Sequence, residues 1–248
     1  MIIDIHFTTI PPRYLFLQKT IDSWLDQTVP VRNIVITVSK TYKNFPKNDL
    51  SQLDRYKDVI IQVLESDHGP NDKIVGALNF ANSDSDANGA NGSNDSNDSN
   101  DSNDAYMIIC DDDHIYHPRT VESYIESLSV NKDDVYTHFS TPRQRLPGIN
   151  HLQGADTYIL PPSFFRSTSR NSYIEFLENC FRECPDSFYQ DDYLISYYLA
   201  VICKYVIKST RYPVMYKIAH QIEELHNYKY VLKREAHTVQ YLTAKIQL

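Results

Sequence analysis

A chain of 248 residues, 42% of them hydrophobic, can bury the core of one large domain or two small ones. Its net charge of −8 is concentrated in positions 82–104, which hold six aspartates and no lysine or arginine; without them the balance is −2, and no basic stripe is left to bind nucleic acid. Cys110, Cys180, Cys184 and Cys203 match neither a zinc spacing nor a disulfide scaffold, no apolar run approaches the roughly 18 residues of a membrane span, and MIIDIHF has no leader-like pattern. A soluble, cytoplasmic protein with reduced thiols is expected.

IIDIHFTT (2–9) opens the chain as a strand running into a polar loop. Leu17, Ile21, Trp24 and Leu25 then repeat at helical spacing. NIVITVS (33–39) and DVIIQVLE (58–65) read as two further strands. Ile74, Ala77, Leu78 and Ala81 mark a second helix that runs into positions 82–104. There a repeated Ser-Asn-Asp unit, with no large apolar side chain, cannot offset its ordering entropy and is expected to form a disordered surface loop. It lacks the spaced glycines and closing glutamate of a calcium loop. YMIIC (106–110) is short and apolar on both sides, as a central parallel strand is. PRTVESYIESL (118–128) reads as a helix with Pro118 in its first turn. Strands alternating with helices in this way predict an α/β fold with a parallel sheet, whose ligands sit beyond the carboxyl ends of the strands. FTTIPPR and CDDDH both stand at such ends.

The second half is less regular. DVYTHFS (134–140) reads as a strand, and QGADTYILPPSFF (153–165) as a loop, a short strand and a proline stop. Ile174, Leu177 and Phe181 mark a helix in which Cys180 and Cys184 lie one turn apart. DDYLISYYLAVIC (191–203) gives another, with Leu194, Ile195, Tyr198, Leu199 and Ile202 as its buried face and Asp191 or Asp192 capping its start. The tail from Tyr212, rich in Tyr, His and Lys, gives no clear element.

Three consecutive carboxylates, Asp111, Asp112 and Asp113, repel one another unless something positive sits among them. Strand alternation puts Asp111 and Asp113 on one side and Asp112 on the other. Two oxygen ligands aimed one way suit a hard divalent cation, Mn2+ or Mg2+, held weakly by protein alone and arriving with a diphosphate. The plainer alternative is a solvated turn; the apolar strands leading into the cluster weigh against it.

Four stretches in this order, FTTIPPRYLFLQKTIDSWLDQT, DHGPNDKIVGALNFA, CDDDHIYHP and QGADTYILPPSFF followed by QDDYLISYYL, resemble the GT-A glycosyltransferases over roughly residues 3–205. The likeness is to the family 2 type and to small glycosyltransferases encoded by giant DNA viruses. The resemblance implies a single GT-A domain over 1–248, with a mostly parallel central sheet flanked by helices. Residues 1–115 would form the nucleotide-binding half, carrying the 82–104 insert, and 116–248 the acceptor-binding half. It implies a metal-dependent hexosyltransferase, in the host cytoplasm if viral, that moves a sugar from a UDP-sugar to an acceptor hydroxyl on a glycan or protein.

Roles carry over position by position. Thr8 and Thr9 would line the nucleoside pocket, with Arg13 beside that loop. Ser39 stands where the family often has an Asp facing the base, so Asp67 or Lys73 would supply the uracil contact. Asp111 or Asp112 would hold the ribose, and Asp113, with Asp111, the metal. Gln153 and Gly154 would shape the sugar and acceptor pocket. Asp192 would be the general base beside Asp191, which stands where the family usually has Glu. One base and no enzyme nucleophile imply inversion. Retaining relatives often add a C-terminal His to the metal; His220 is the leading candidate, ahead of His226 and His237.

Two other functions compete with this one. A non-catalytic nucleotide-sugar-binding protein would not need both Asp113 and Asp192. A metal-dependent phosphatase with an aspartyl nucleophile would want its Asp-x-Asp after the first strand, where this chain has FTTIPP.

Overall fold

The computed structural model describes residues 1–86, 104–138, 146–210, 218–219 and 228–247. Strand β1 (Ile3–Thr8) shows how the sheet divides the interior. Ile3, Ile5 and Phe7 join one core cluster with Leu17, Ile21 and Trp24 of the segment around α1 (Gln18–Leu25) and with Val121, Tyr124 and Leu128 of α3 (Thr120–Leu128). On the opposite face His6 meets Phe80 of α2 (Asp72–Asp86) edge-on at 5.3 Å, and Asp4 is held by Arg32 at 3.0 and 2.5 Å. Period-two alternation thus feeds two cores from one strand.

The remaining strands are β2 (Asn33–Ser39), β3 (Ile60–Leu64), β4 (Tyr106–Ile109), β6 (Val135–Thr137), β7 (Tyr158–Leu160) and β8 (Ile207–Ser209), with a two-residue β5 (His114–Ile115) between β4 and β6. Six of them join β1 in one seven-stranded sheet in the order β3-β2-β1-β4-β7-β6-β8, in which only β7 runs against its neighbours. The short β5 pairs instead with β9 (Ile218–Ala219). β4 sends Tyr106 and Ile108 to the first core and Met107 and Ile109 to the second, the two-sided burial that its apolar run predicts. Edge strand β3 leaves Ile60 and Val63 exposed. The second core is completed by α4 (Pro162–Ser167), α5 (Arg170–Glu183), α6 (Asp191–Tyr197) and α7 (Tyr228–Ile246). Burying each large apolar side chain there is worth roughly 1.5–3 kcal/mol. Helix α2 lies so close to the sheet that a Cβ on Gly76 would come within 1.9 Å of Thr37 Oγ1.

Several expected details shift. Leu25 of α1 is exposed, and the buried stripe is Leu17, Ile21 and Trp24. α3 begins at Thr120, and Pro118 lies before it, where its carbonyl accepts the Thr28 N–H. Pro161 ends β7, but Pro162 then opens α4, its fixed φ suiting a first helical turn. The 191–203 helix changes to a π turn over Tyr198–Ile202, with Cys203 N–H bonded to Tyr198 O. The wider turn rotates Ile202 off the buried face, where Leu194, Ile195, Tyr198 and Leu199 remain. Cys180 and Cys184 are, as expected, free thiols one turn apart. The insert's first residues, through Asp86, continue α2, and 87–103 lie outside the described residues. No helix among the described residues is long and apolar enough to cross a membrane.

Candidate active site

The parallel strands β1, β2, β3 and β4 all end at one edge, and a cleft of about 660 Å³ opens there. It is lined by Thr8, Thr9, Ile10 and Arg13 after β1, by Tyr42, Asn44, Phe45 and Asp67, by the loop after β4, by residues 188–192 and by Arg234 of α7. Six aspartates line it against Arg13, Lys73 and Arg234, an imbalance that favours a bound cation.

The loop after β4 is fixed from below by α1. Thr20 Oγ1 lies 2.9 and 2.8 Å from the carbonyls of Asp112 and His114, and Ser23 Oγ accepts the Tyr116 N–H. Tyr116, stacked on Trp24 at 4.5 Å, takes the Asp111 N–H on its hydroxyl and donates to the Asp111 carbonyl. The three carboxylates then part. Asp112 turns down into the protein, accepts Thr9 Oγ1 at 2.6 Å and pairs with Arg13 at 2.5 Å. Burial nonetheless raises its pKa against the pull of Arg13. Asp111, Asp113 and His114 stay together, with ligand atoms within 4.8 Å of one another. Asp113 bonds His114 Nδ1 at 2.6 Å and lies 3.3 Å from Arg13. Burial works to raise the Asp113 pKa, but the His114 hydrogen bond and the Arg13 charge outweigh it and hold the carboxyl at about 2. Two carboxylates and an imidazole are a donor set that fits Mn2+, and less closely Mg2+, which prefers oxygen alone. His114 was not singled out from the sequence; its place directly after three aspartates was the available signal.

Lys73 ties the two halves of the site together. Its ammonium lies 2.7 Å from Asp111 and 2.7 Å from Asp191, with the side chain 2% exposed. Burial alone would lower its pKa; the two carboxylates reverse this and push it well up. α6 starts at Asp191 after Gln190, with no side-chain cap. Asp191 and Asp192 are therefore not caps, though both favour the positive end of the helix. Asp192 Oδ1 accepts the Gly154 N–H at 2.9 Å. Burial and the neighbouring Asp191 raise its pKa well above the usual carboxylate range, with Lys73 opposing. A Cβ on Gly154 would come within 2.3 Å of both Asp111 Oδ1 and Lys73 Nζ, so only glycine lets this turn (Gly154–Asp156) approach so closely.

The structure thus brings Thr8, Thr9, Arg13, Asp67, Lys73, Asp111, Asp112, Asp113, Asp191 and Asp192 to one cleft. The Thr8 hydroxyl is spent on the Thr37 carbonyl of β2, and Asp67 accepts from the backbone of Lys43 and Gly69. Ser39 is buried behind the cleft and bonds Asp72 and the Ser66 carbonyl. Gln153 precedes the glycine turn and does not line the cleft. His237 is exposed on α7 and bonds Asp186 at 2.6 Å. His220 and His226 fall outside the described residues; Ala219 of β9 pairs with His114. The sequence also missed α7, which brings Arg234 over the Tyr189 ring at 4.2 Å.

No protein-family model matches the chain, and no curated protein matches it. Among solved structures it is similar to a mannosyltransferase from Pyrobaculum calidifontis in complex with GDP-Man and Mn2+, at 14% identity and TM-score 0.55 over 99% of this chain. The chain spans 64% of the length of that protein. It is similar also to glucosyl-3-phosphoglycerate synthase from Mycobacterium tuberculosis in complex with Mn2+, UDP and phosphoglyceric acid, at 10% identity and TM-score 0.50, covering 96% of this chain and 78% of that one. At such identities the likeness is one of fold, the GT-A fold of these transferases. The viral side of the resemblance finds no support in the comparisons.

Proposed function

We propose that the chain is a metal-dependent glycosyltransferase that moves a sugar from a nucleotide sugar, of the UDP type, to an acceptor hydroxyl with inversion. One observation carries the reading: Asp111, Asp113 and His114 at the end of the central strand face, through Lys73, the pair Asp191 and Asp192 at the start of α6. The first set has the chemistry to hold a divalent cation, and the second a carboxylate for the acceptor proton. The two neighbours above are nucleotide-sugar transferases of the same fold, solved with Mn2+, which supports the reaction class.

Arg13 and Thr9 keep Asp112 in place, so that the loop presents Asp111, Asp113 and His114 to the cleft. With Lys73 committed to two carboxylates, Asp67 remains as the acceptor for a base N–H. Mn2+ or Mg2+, which Asp111, Asp113 and His114 would hold, would supply charge neutralisation for a departing diphosphate. Asp192, oriented by the Gly154 amide, takes the proton of the acceptor hydroxyl as that oxygen attacks the anomeric carbon. Lys73 stabilises the buried negative charge of Asp191 beside it.

A panel of nucleotide sugars with Mn2+, scored by binding and by release of free nucleotide, tests this. Tight UDP binding that disappears with chelator and weakens about 10- to 100-fold in His114→Ala or Asp113→Ala is the expected result. Equal UDP affinity with and without chelator removes the metal role. Binding without turnover of any nucleotide sugar favours the non-catalytic alternative, and phosphate release from simple monoesters favours a phosphatase.

A further inference from the structure

Thr157 follows the Gly154–Asp156 turn, is 1% exposed, and has its backbone at φ 63° and ψ 155°. Glycine occupies that region freely and residues with a Cβ rarely do, so a threonine there must be held by its surroundings. Two elements hold it. Tyr124 of α3 and Thr157 share a hydroxyl–hydroxyl hydrogen bond of 2.6 Å, and Thr137 of β6 donates its Oγ1 to the Thr157 carbonyl at 2.9 Å. Both partners are buried. Thr157 N–H closes the turn onto the Gly154 carbonyl at 3.0 Å. On the other side of the same turn, Gly154 N–H reaches Asp192, and a Cβ on Gly154 would come within 2.3 Å of Asp111 Oδ1 and Lys73 Nζ.

We propose that Thr157 is a positioning residue for the transfer reaction, an inference that rests on Asp192 being the base. Its hydroxyl anchors the turn to α3, its carbonyl anchors it to β6, and the unusual backbone between these anchors directs the Gly154 amide at Asp192 Oδ1. One carboxylate oxygen is thereby fixed and the other is left for the acceptor proton. A threonine that only filled space would need neither the left-handed backbone nor two hydroxyl partners. The hydroxyl anchor has a second consequence: Thr157 and Tyr124 act through the same bond, so their effects must be non-additive.

Thr157→Ser, Thr157→Ala, Tyr124→Phe and the double variant Thr157→Ala with Tyr124→Phe, made in the full chain, test this through three readouts. These are hydrogen exchange at the Gly154 amide, UDP affinity with Mn2+, and kcat for transfer. Thr157→Ser keeps the anchor and is expected to behave as wild type. Thr157→Ala and Tyr124→Phe are expected to speed Gly154 exchange and to lower kcat by about 10- to 100-fold, the scale of a small misplacement of a catalytic group, with UDP affinity unchanged. The double variant is expected to be no slower than the slower single one. Unchanged Gly154 exchange in Thr157→Ala, or kcat that falls only in step with UDP affinity or thermal unfolding, overturns the proposal. If wild type turns over no nucleotide sugar, the reading of Asp192 fails, while the exchange measurement still decides whether Thr157 sets the turn.

Discussion

Asp192→Asn separates chemistry from architecture more cleanly in this structure than at a helix cap. Asp192 caps nothing: its Oδ1 accepts from Gly154, and the α6 start has no side-chain cap. An Asn side-chain oxygen can take the same amide at the same distance. The substitution removes a buried negative charge beside Asp191, a charge that burial itself disfavours. Stability at pH 7 is therefore expected to hold or rise, since the ionised form is the one that folding strains. Transfer is expected to collapse by about 10²- to 10⁴-fold, because the amide cannot accept the proton. Each decade is about 1.4 kcal/mol of barrier, so the loss is roughly 3–5 kcal/mol at the transition state with almost none in the ground state. Steady-state transfer with saturating donor, UDP binding calorimetry and urea unfolding measure the three quantities on one preparation. Asp191→Asn should invert the pattern: it leaves the proton acceptor in place but takes one of two carboxylates from a lysine that is 2% exposed, so stability suffers more than rate. Near-wild-type transfer by Asp192→Asn would refute the reasoning and pass the base role to Asp191 or to a group on the substrate.

Three other outcomes follow from the same geometry. Gly154→Ala drives a methyl to within 2.3 Å of Asp111 Oδ1 and Lys73 Nζ and is expected to cost about 1–3 kcal/mol in thermal or urea unfolding, with metal-dependent UDP binding lost as Asp111 shifts. Lys73→Met leaves Asp111, Asp191 and Asp192 facing one another without their cation, so its melting temperature should fall in chelator and recover in part with Mn2+, whereas wild type should recover less. Two buried histidines set an acid limit: burial first, and Arg32 second, lower the His6 pKa to about 3, and burial lowers that of His138 to about 4. Both folded values lie below the unfolded value, so their contribution is fully present above roughly pH 6.5 and is lost as pH falls from there toward 3–4, about 4 kcal/mol together by pH 5. Urea unfolding at pH 7 and pH 5 checks this, and His6→Phe, which cannot titrate, should flatten the dependence.

The central sheet was legible because its strands carry the signal that burial imposes. The alternation of β1 and the unbroken apolar run of β4 each state which faces are covered, and both appear as expected. The acidic loop was legible as a cluster, since three adjacent aspartates need a compensating charge; strand alternation did not anticipate its shape, because the loop turns after β4 and one Arg13 guanidinium reaches both Asp112 and Asp113. What supplies that charge to Asp112 was not legible. Arg13 is 99 positions away and Lys73 lies 38 from Asp111, and pattern reading has no access to such pairings. The same holds for Gly154, whose need for a missing side chain exists only once Asp111 and Lys73 are packed against it. The π turn escaped because a helix that widens for one turn keeps the same composition. α7 escaped because its apolar stripe is broken by polar residues: Thr238 and Leu242 are buried, Val239, Tyr241 and Ile246 pack partly buried against the second core, and Glu235 bonds Tyr193.

The Lys73 bridge also bears on the order in which the protein is made. Lys73 and Asp111 leave the ribosome well before Asp191, and until α6 arrives the lysine has only one of its two carboxylates and no lid above it. A nascent first half would have to bury an ammonium with half its compensation, or leave the acidic loop in water. Native packing at the ends of the strands therefore waits for the second half, and the chain is expected to unfold in one cooperative transition, with hydrogen exchange in α2 and α6 rising together rather than in sequence.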